Sequence, residues 1–216
     1  METIISPSIL AADFNILGQQ IREIEKSDAK YLHIDVMDGV FVPSISFGMP
    51  VIQSIRKQTN LFFDVHLMIV EPIRYVEEFA ACGADMITFH LEAAQGRVQE
   101  TIDKIHALGC KAGISIKPAT PVDELIPYLD ILDMILIMTV EPGFGGQKYI
   151  PTSTDKIKQM RALLAERGLQ TDVEVDGGIT LENVSVVKEA GANVIVSGSA
   201  IFRGNIGDNI KSLLEA

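Results

Sequence analysis

Residues 133–177, "DMILIMTVEPGFGGQKYIPTSTDKIKQMRALLAERGLQTDVEVDG", decide the fold. An apolar run comes first, then a glycine-rich loop, then a polar stretch with apolar residues at helical spacing, then a second β-branched run that ends on an acid. Strand, crossover helix and strand in that order make a parallel pair, because a tight turn cannot return the chain to a parallel neighbour.

The same alternation continues in both directions. "TIISPSIL", "YLHIDVM", "LFFDVHLM", "ADMITFHL" and "KAGISIK" precede the segment, and "NVIVSGS" follows it, so that eight strands are predicted in all. The stretch "NILGQQIREIEKSD" has the helical spacing again. "ACGADMI", "ALGCKAGI" and "EAGANVI" place a glycine where a helix leaves through the left-handed region just before the next strand. Spread over 216 residues, eight units average about 27 residues each, near the minimum for a strand with its crossover. A parallel sheet of eight such units closes into a (β/α)8 TIM barrel with its helices outside. The rival, an open doubly wound sheet, would carry Gly-x-Gly-x-x-Gly after the first strand, where this chain has "AADFNILG". No linker or low-complexity stretch interrupts the units, so residues 1–216 are expected to form a single catalytic domain.

Composition narrows the function. The formal charge of −11, from 18 Lys and Arg against 29 Asp and Glu, argues against nucleic acid as a partner. No apolar run reaches membrane-spanning length, and "METIISPSIL" lacks the features of a secretory signal, so no membrane association and a cytoplasmic location are expected. Cys82 and Cys110 have no metal-ligand spacing and read as reduced thiols.

In such barrels chemistry gathers at the C-terminal ends of the strands. Strand alternation puts His33 and Asp35 on one face of "YLHIDVM"; "LFFDVHLM" delivers His66 and "TDVEVDG" delivers Asp176. Two imidazoles and two carboxylates converging from three strands suit one divalent ion, Zn, Fe, Mn or Co, with positions left for substrate oxygens. Carboxylates on opposite sides of a bound carbon would suit two-base proton transfer. His90 is a reserve ligand, expected to be packed behind the site, and His106 a helix-end histidine. Asp38, before Gly39, is explained by a turn. Glu174 shares the face of Asp176 one layer deeper and needs a cation or donor, for which Lys117 is the candidate.

Glycines cluster in "VEPGFGGQK", "VDGGIT" and "VSGSAIF", three consecutive C-terminal loops that could direct backbone N–H groups at an anion. An anion held this way is compatible with an acidic chain. Met37, Met68 and Met138 end strands near the expected mouth and could form a polarizable apolar lining.

Taken together, "SPSILAADF", "HIDVMDGVFVP", "HLM", "MTVEPGFGGQK", "VDGGI" and "VSGSAIF" resemble the ribulose-phosphate 3-epimerase family from the first strand to the last. The resemblance implies that His33, Asp35, His66 and Asp176 bind the metal and that Asp35 and Asp176 form the acid/base pair. It further implies that Ser8 and His66 contact substrate, and that Gly143, Phe144, Gly145, Gly146, Gly177, Gly178, Gly198 and Ser199 surround the sugar and its phosphate. The implied reaction interconverts D-ribulose 5-phosphate and D-xylulose 5-phosphate, and a homo-oligomer is expected. Relatives often have His-Phe-Val-Pro-Asn where this chain has Val40-Phe41-Val42-Pro43-Ser44, a difference beside the site and outside the four ligands. The close alternative is allulose-6-phosphate 3-epimerase, whose relatives tend to read Gly-Phe-Ala-Gly at Gly143-Phe144-Gly145-Gly146 and Asp-Gly-Ser at Asp176-Gly177-Gly178. A phosphate-binding barrel lyase or decarboxylase would place a Lys between aspartates, and no Asp-x-Lys-x-x-Asp ends a strand here. A non-catalytic phosphosugar-binding barrel would not need the paired aspartates.

Overall fold

A computed structural model describes every residue from 1 to 216. The strands are β1 (Ile4–Pro7), β2 (Tyr31–Met37), β3 (Phe62–Met68), β4 (Met86–His90), β5 (Lys111–Ile116), β6 (Met134–Met138), β7 (Asp172–Asp176) and β8 (Val194–Ser197). The helices are α1 (Leu17–Glu25), α2 (Met49–Arg56), α3 (Val76–Ala81), α4 (Val98–Ala107), α5 (Ser153–Glu166), α6 (Val184–Ala190), α7 (Ser199–Phe202) and α8 (Ile206–Glu215). All strand pairings are parallel, in the order β1-β8-β7-β6-β5-β4-β3-β2. A parallel bridge between Ser8, just past β1, and His33 joins the two ends of the sheet and makes the ring. Gly83, Gly109 and Gly191 leave their helices at φ of +94°, +80° and +112°, as the sequence predicts.

Strand residues pointing outward, such as Leu32, Ile34, Phe63, Val65, Ile135 and Val175, pack against helix residues spaced three or four apart: Ile21 and Ile24, Ile157 and Met160, Ile210 and Leu213. Burial on both faces explains why β2, β4 and β6 carry almost no exposed residue. The β5–β6 connection departs from the pattern. It is a 3-10 stretch, Val122–Ile131, with Pro127 inside, and it still buries Val122, Leu125 and Leu129. A proline lacks the N–H that an α-helical turn needs, which accounts for the tighter form.

Inward residues stack in layers set by register. His33 lies beside Asp64, Asp35 beside His66 and Met37 beside Met68, while Leu136 lies beside Glu174 and Met138 beside Asp176. An apolar plug of Tyr31, Met86, Met134 and Val194 seals the N-terminal end. Above it lies a buried polar layer that includes Ser6, His33, Asp64, Thr88, Ser115 and Glu174. The barrel is therefore a filled core whose polarity rises toward one end.

Candidate metal and acid-base centre

Asp35 occupies the middle of the upper layer and is held through both oxygens. Ser8 Oγ donates to Asp35 Oδ2 at 2.6 Å, and His33 Nε2 and His66 Nδ1 each lie 3.1 Å from Asp35 Oδ1. Asp176 Oδ2 is 4.0 Å from His33 Nε2 and 3.9 Å from His66 Nδ1. One ligand atom from each of His33, Asp35, His66 and Asp176 falls within 4.8 Å of all the others. Around one ion with bonds of about 2.1 Å, ligand atoms sit roughly 3.0–4.2 Å apart, so two nitrogens and two oxygens at these separations fit a divalent cation. Both histidines are fully buried, while the side chain of Asp176 keeps 17% of its surface exposed.

The two acids are electrostatically unlike. Burial works against the charge on Asp35, but the His33 and His66 imidazoles beside it outweigh burial and hold its carboxyl far below the usual range. Burial, and next the negative charge of Asp35, push Asp176 up to about 6. Burial also opposes a charged His33, yet Asp35 and Asp64 outweigh it and raise that imidazole well above its ordinary value. In the protein by itself, one acid of the pair is thus a firm carboxylate and the other is ready to carry a proton.

Beneath them, His33 Nδ1 lies 2.7 Å from Asp64 Oδ2 and 3.5 Å from Glu174 Oε1. Burial and the adjacent Asp64 charge raise Glu174 well above the carboxylate range. Asp64 Oδ1 and both Glu174 oxygens are buried with no hydrogen-bond partner, a setting that favours the uncharged acid over the carboxylate. This corrects the expectation that Lys117 neutralises Glu174. Register aligns Glu174 with Leu136 and Leu136 with Ser115, so Lys117 lies beyond their layer, and its ammonium sits 4.1 Å over the Phe41 ring.

His90 is packed, as expected. Its Nε2 lies 2.9 Å from His66 Nε2 and its Nδ1 lies 3.3 Å from Glu92 Oε2. Burial drives the His90 imidazole down to about 4. At Glu92 burial is outweighed by hydrogen bonds from His90, Thr120 and the Lys117 N–H, which take the carboxyl down to about 2. His106 ends α4 against Asp133 at 2.9 Å. Asp38 forms the expected turn with the N–H groups of Val40 and Phe41, and also accepts from Val70 N–H at 2.8 Å, tying the loop after β2 to the one after β3.

A cavity of about 870 Å³ opens above the acids. It brings together Ser8, Asp35, Met37, Met68, Met138, Gly143, Phe144, Gly145, Gly146, Asp176, Gly177, Gly178, Gly198 and Ser199, with His33 and His66 hidden behind Asp35. Met37 and Met68 pack with Val42 on one side, and Met138 packs with Leu136 and Val140 on the other. Sequence reading passed over Lys148 and Arg203, two cations on the cavity wall. Arg203 stands four positions after Ser199, and a basic residue one turn past a glycine-led helix start was the available signal.

Gly178 shows how tightly the loops interlock. Its φ is +69°, and a Cβ there would collide with the Tyr149 backbone nitrogen and come within 2.9 Å of Gln147 O. Gly178→Ala is expected to cost about 1–3 kcal/mol through backbone strain alone. Thermal melts should fall by roughly 2–4 °C per kcal/mol in a chain this size. An unchanged melting temperature would show that the 141–149 loop yields freely.

The sequence profile of the "Ribulose-phosphate 3 epimerase family" matches residues 4–202. The chain is 49% identical over 200 residues to a ribulose-phosphate 3-epimerase of Synechocystis sp., covering 92% of this chain and 87% of that one. It is 47% identical over 199 residues to a ribulose-phosphate 3-epimerase of Bacillus subtilis, covering 92% and 91%. Among solved structures, 3-keto-L-gulonate-6-phosphate decarboxylase from Vibrio cholerae superposes with a TM-score of 0.71 over 100% of this chain and 97% of that one. Its 14% identity makes this a likeness of fold alone. With 49% identity to one such enzyme over 200 aligned residues, and the profile running from β1 to α7, the chain belongs to the ribulose-phosphate 3-epimerase family.

Proposed function

We infer that residues 1–216 act as one catalytic domain, a ribulose-phosphate 3-epimerase that inverts C3 of D-ribulose 5-phosphate and D-xylulose 5-phosphate. The observation that carries the two-base scheme is the split between Asp35 and Asp176: two carboxyl groups at one point, one held ionised and the other raised to about 6. His33, Asp35, His66 and Asp176 would hold one divalent ion, Zn, Fe, Mn or Co. When bound, such an ion supplies Lewis-acid stabilisation of the negative charge that develops as C3 loses its proton.

Asp35, fixed by Ser8, His33 and His66, is the base on one face of C3. Asp176 carries the proton delivered to the other face, and in the reverse direction the two exchange roles. No hydrogen bond pins the Asp176 carboxylate, so it can turn toward the carbon. After one turnover the proton resides on the opposite acid, and the partly exposed Asp176 is the route by which the pair resets with solvent. The phosphate is assigned to backbone N–H groups of Gly177, Gly178, Gly198 and Ser199, with Arg203 at the rim. Gly143, Phe144, Gly145 and Gly146 cover the sugar, with Met37, Met68 and Met138 excluding water beside it.

No helix is long and apolar enough to cross a membrane. A cytoplasmic location is consistent with two unpaired, buried cysteines. A homo-oligomer is supported by the exposed apolar side chains of Phe14, Ile16, Val40 and Ile45.

The test is turnover of D-ribulose 5-phosphate in D2O. The expected product is D-xylulose 5-phosphate labelled at C3, since the incoming proton comes from an acid that exchanges with solvent. Conversion of allulose 6-phosphate in preference to the pentulose would overturn the substrate assignment. Absence of both conversion and C3 exchange would favour a phosphosugar-binding barrel.

A further inference from the structure

His66 has two ring nitrogens with very different neighbours. Nδ1 faces Asp35 and Asp176, at 3.1 and 3.9 Å, inside the candidate metal centre. Nε2 faces away, toward His90 Nε2 at 2.9 Å. Two imidazole nitrogens that close need one hydrogen between them, and its owner sets the chemistry of the whole row. If His90 Nε2 carried it, a neutral His90 would turn a bare Nδ1 toward the Glu92 carboxylate, setting two acceptors 3.3 Å apart. A neutral His66 would then keep its own proton on Nδ1, where it would block that lone pair from a cation.

With a cation held between His66 Nδ1 and Asp35 Oδ1, which lie 3.1 Å apart, the opposite assignment satisfies every group. His90 Nδ1–H donates to Glu92 Oε2, His66 Nε2–H donates to His90 Nε2, and His66 Nδ1 is left bare toward the site. Glu92 can hold the far end because its other oxygen accepts from Lys117 N–H at 2.8 Å and from the Thr120 hydroxyl. The Phe41 ring, 4.8 Å from His90, covers the imidazole and keeps water from replacing it. His33 is turned the other way, with Nδ1 on Asp64 and Nε2 toward the site. The two histidines therefore present opposite nitrogens, and each needs its own partner behind it.

We propose that His90 and Glu92 are positioning residues which hold the His66 proton on Nε2, through the Nε2–Nε2 contact, and so present Nδ1 to a divalent cation. This rests on the assignment of His33, Asp35, His66 and Asp176 as the metal centre.

Long-range 1H–15N NMR of the Zn2+-loaded protein reads the tautomers directly. His66 is expected to be protonated on Nε2 and His90 on Nδ1; a His66 protonated on Nδ1, or a His90 on Nε2, overturns the proposal without any variant. Zn2+ affinity, measured by competition with a chromophoric chelator, provides the second arm. His90→Phe keeps a buried ring but no acceptor and should weaken Zn2+ binding by about 10–100-fold. His90→Gln, whose amide oxygen can accept from His66, should recover most of the loss. A folded His90→Phe protein with wild-type Zn2+ affinity overturns the relay alone. Wild-type protein that takes up no Zn2+ overturns the metal centre and this inference with it, so the two failures are distinguishable.

Discussion

Asp176→Asn is expected to lower epimerase turnover by about 10²–10⁴-fold, the usual contribution of a positioned acid or base, and by more if ion binding weakens as well. Melting temperature should barely change, because the Asp176 carboxylate makes no hydrogen bond and is partly exposed. Asp35→Asn should lower turnover at least as far and also cost stability. Its carboxylate accepts from Ser8 at 2.6 Å and sits 3.1 Å from each of two fully buried imidazoles, one of which it helps keep charged. Leaving a buried charge without its partner costs about 3–5 kcal/mol. The isotope pattern separates a two-base scheme from a general loss of activity. With Asp176 replaced, Asp35 can still remove and return a proton on its own face, so slow C3 exchange should persist with one pentulose phosphate and vanish with its epimer. Asp35→Asn should show the reciprocal preference. Wild-type turnover in either variant, or equal exchange with both epimers, contradicts the scheme.

Removing divalent ions with a chelator should lower activity by about 10³-fold or more, since Lewis-acid stabilisation is worth several kcal/mol and each 1.36 kcal/mol is a factor of ten. The fold should survive. The apolar plug and the helix-facing core contain none of the four ligands, and Asp35 keeps its contacts with Ser8, His33 and His66. A divalent ion added back at a hundred times its dissociation constant stabilises by about 2.7 kcal/mol. In a chain of this size that corresponds to a rise of roughly 5–11 °C in melting temperature, alongside recovered activity. An assay indifferent to chelation, with metal content confirmed as negligible, would leave the His33, Asp35, His66 and Asp176 cluster as a proton-transfer site only.

The order of strands and helices was legible because burial on both faces of a parallel strand writes continuous apolar runs, and a helix against that sheet writes a different period. Tyr31–Met37 and Ser153–Glu166 show the two signatures side by side. The side-chain period of two put His33 with Asp35, and strand ends pointed to His66 and Asp176. The departure at Val122–Ile131 carried a visible cause in Pro127, although it does not disturb the ring.

Partners across the barrel were a different matter. Lys117 was the candidate partner for a Glu174 buried one layer below Asp176, yet height inside a barrel depends on the stagger between strands, which periodicity within one strand does not contain. That stagger sets Glu174 with Asp64 and His33, carries Lys117 to the rim over Phe41, and brings His90 edge to edge with His66. The residues able to bear charge were thus determined by sequence, down to the four that meet. Which way their proton affinities move, Asp35 down and Glu174 and Asp176 up, was decided by tertiary structure alone, because proton affinity follows the water a group has lost and the charges folded against it.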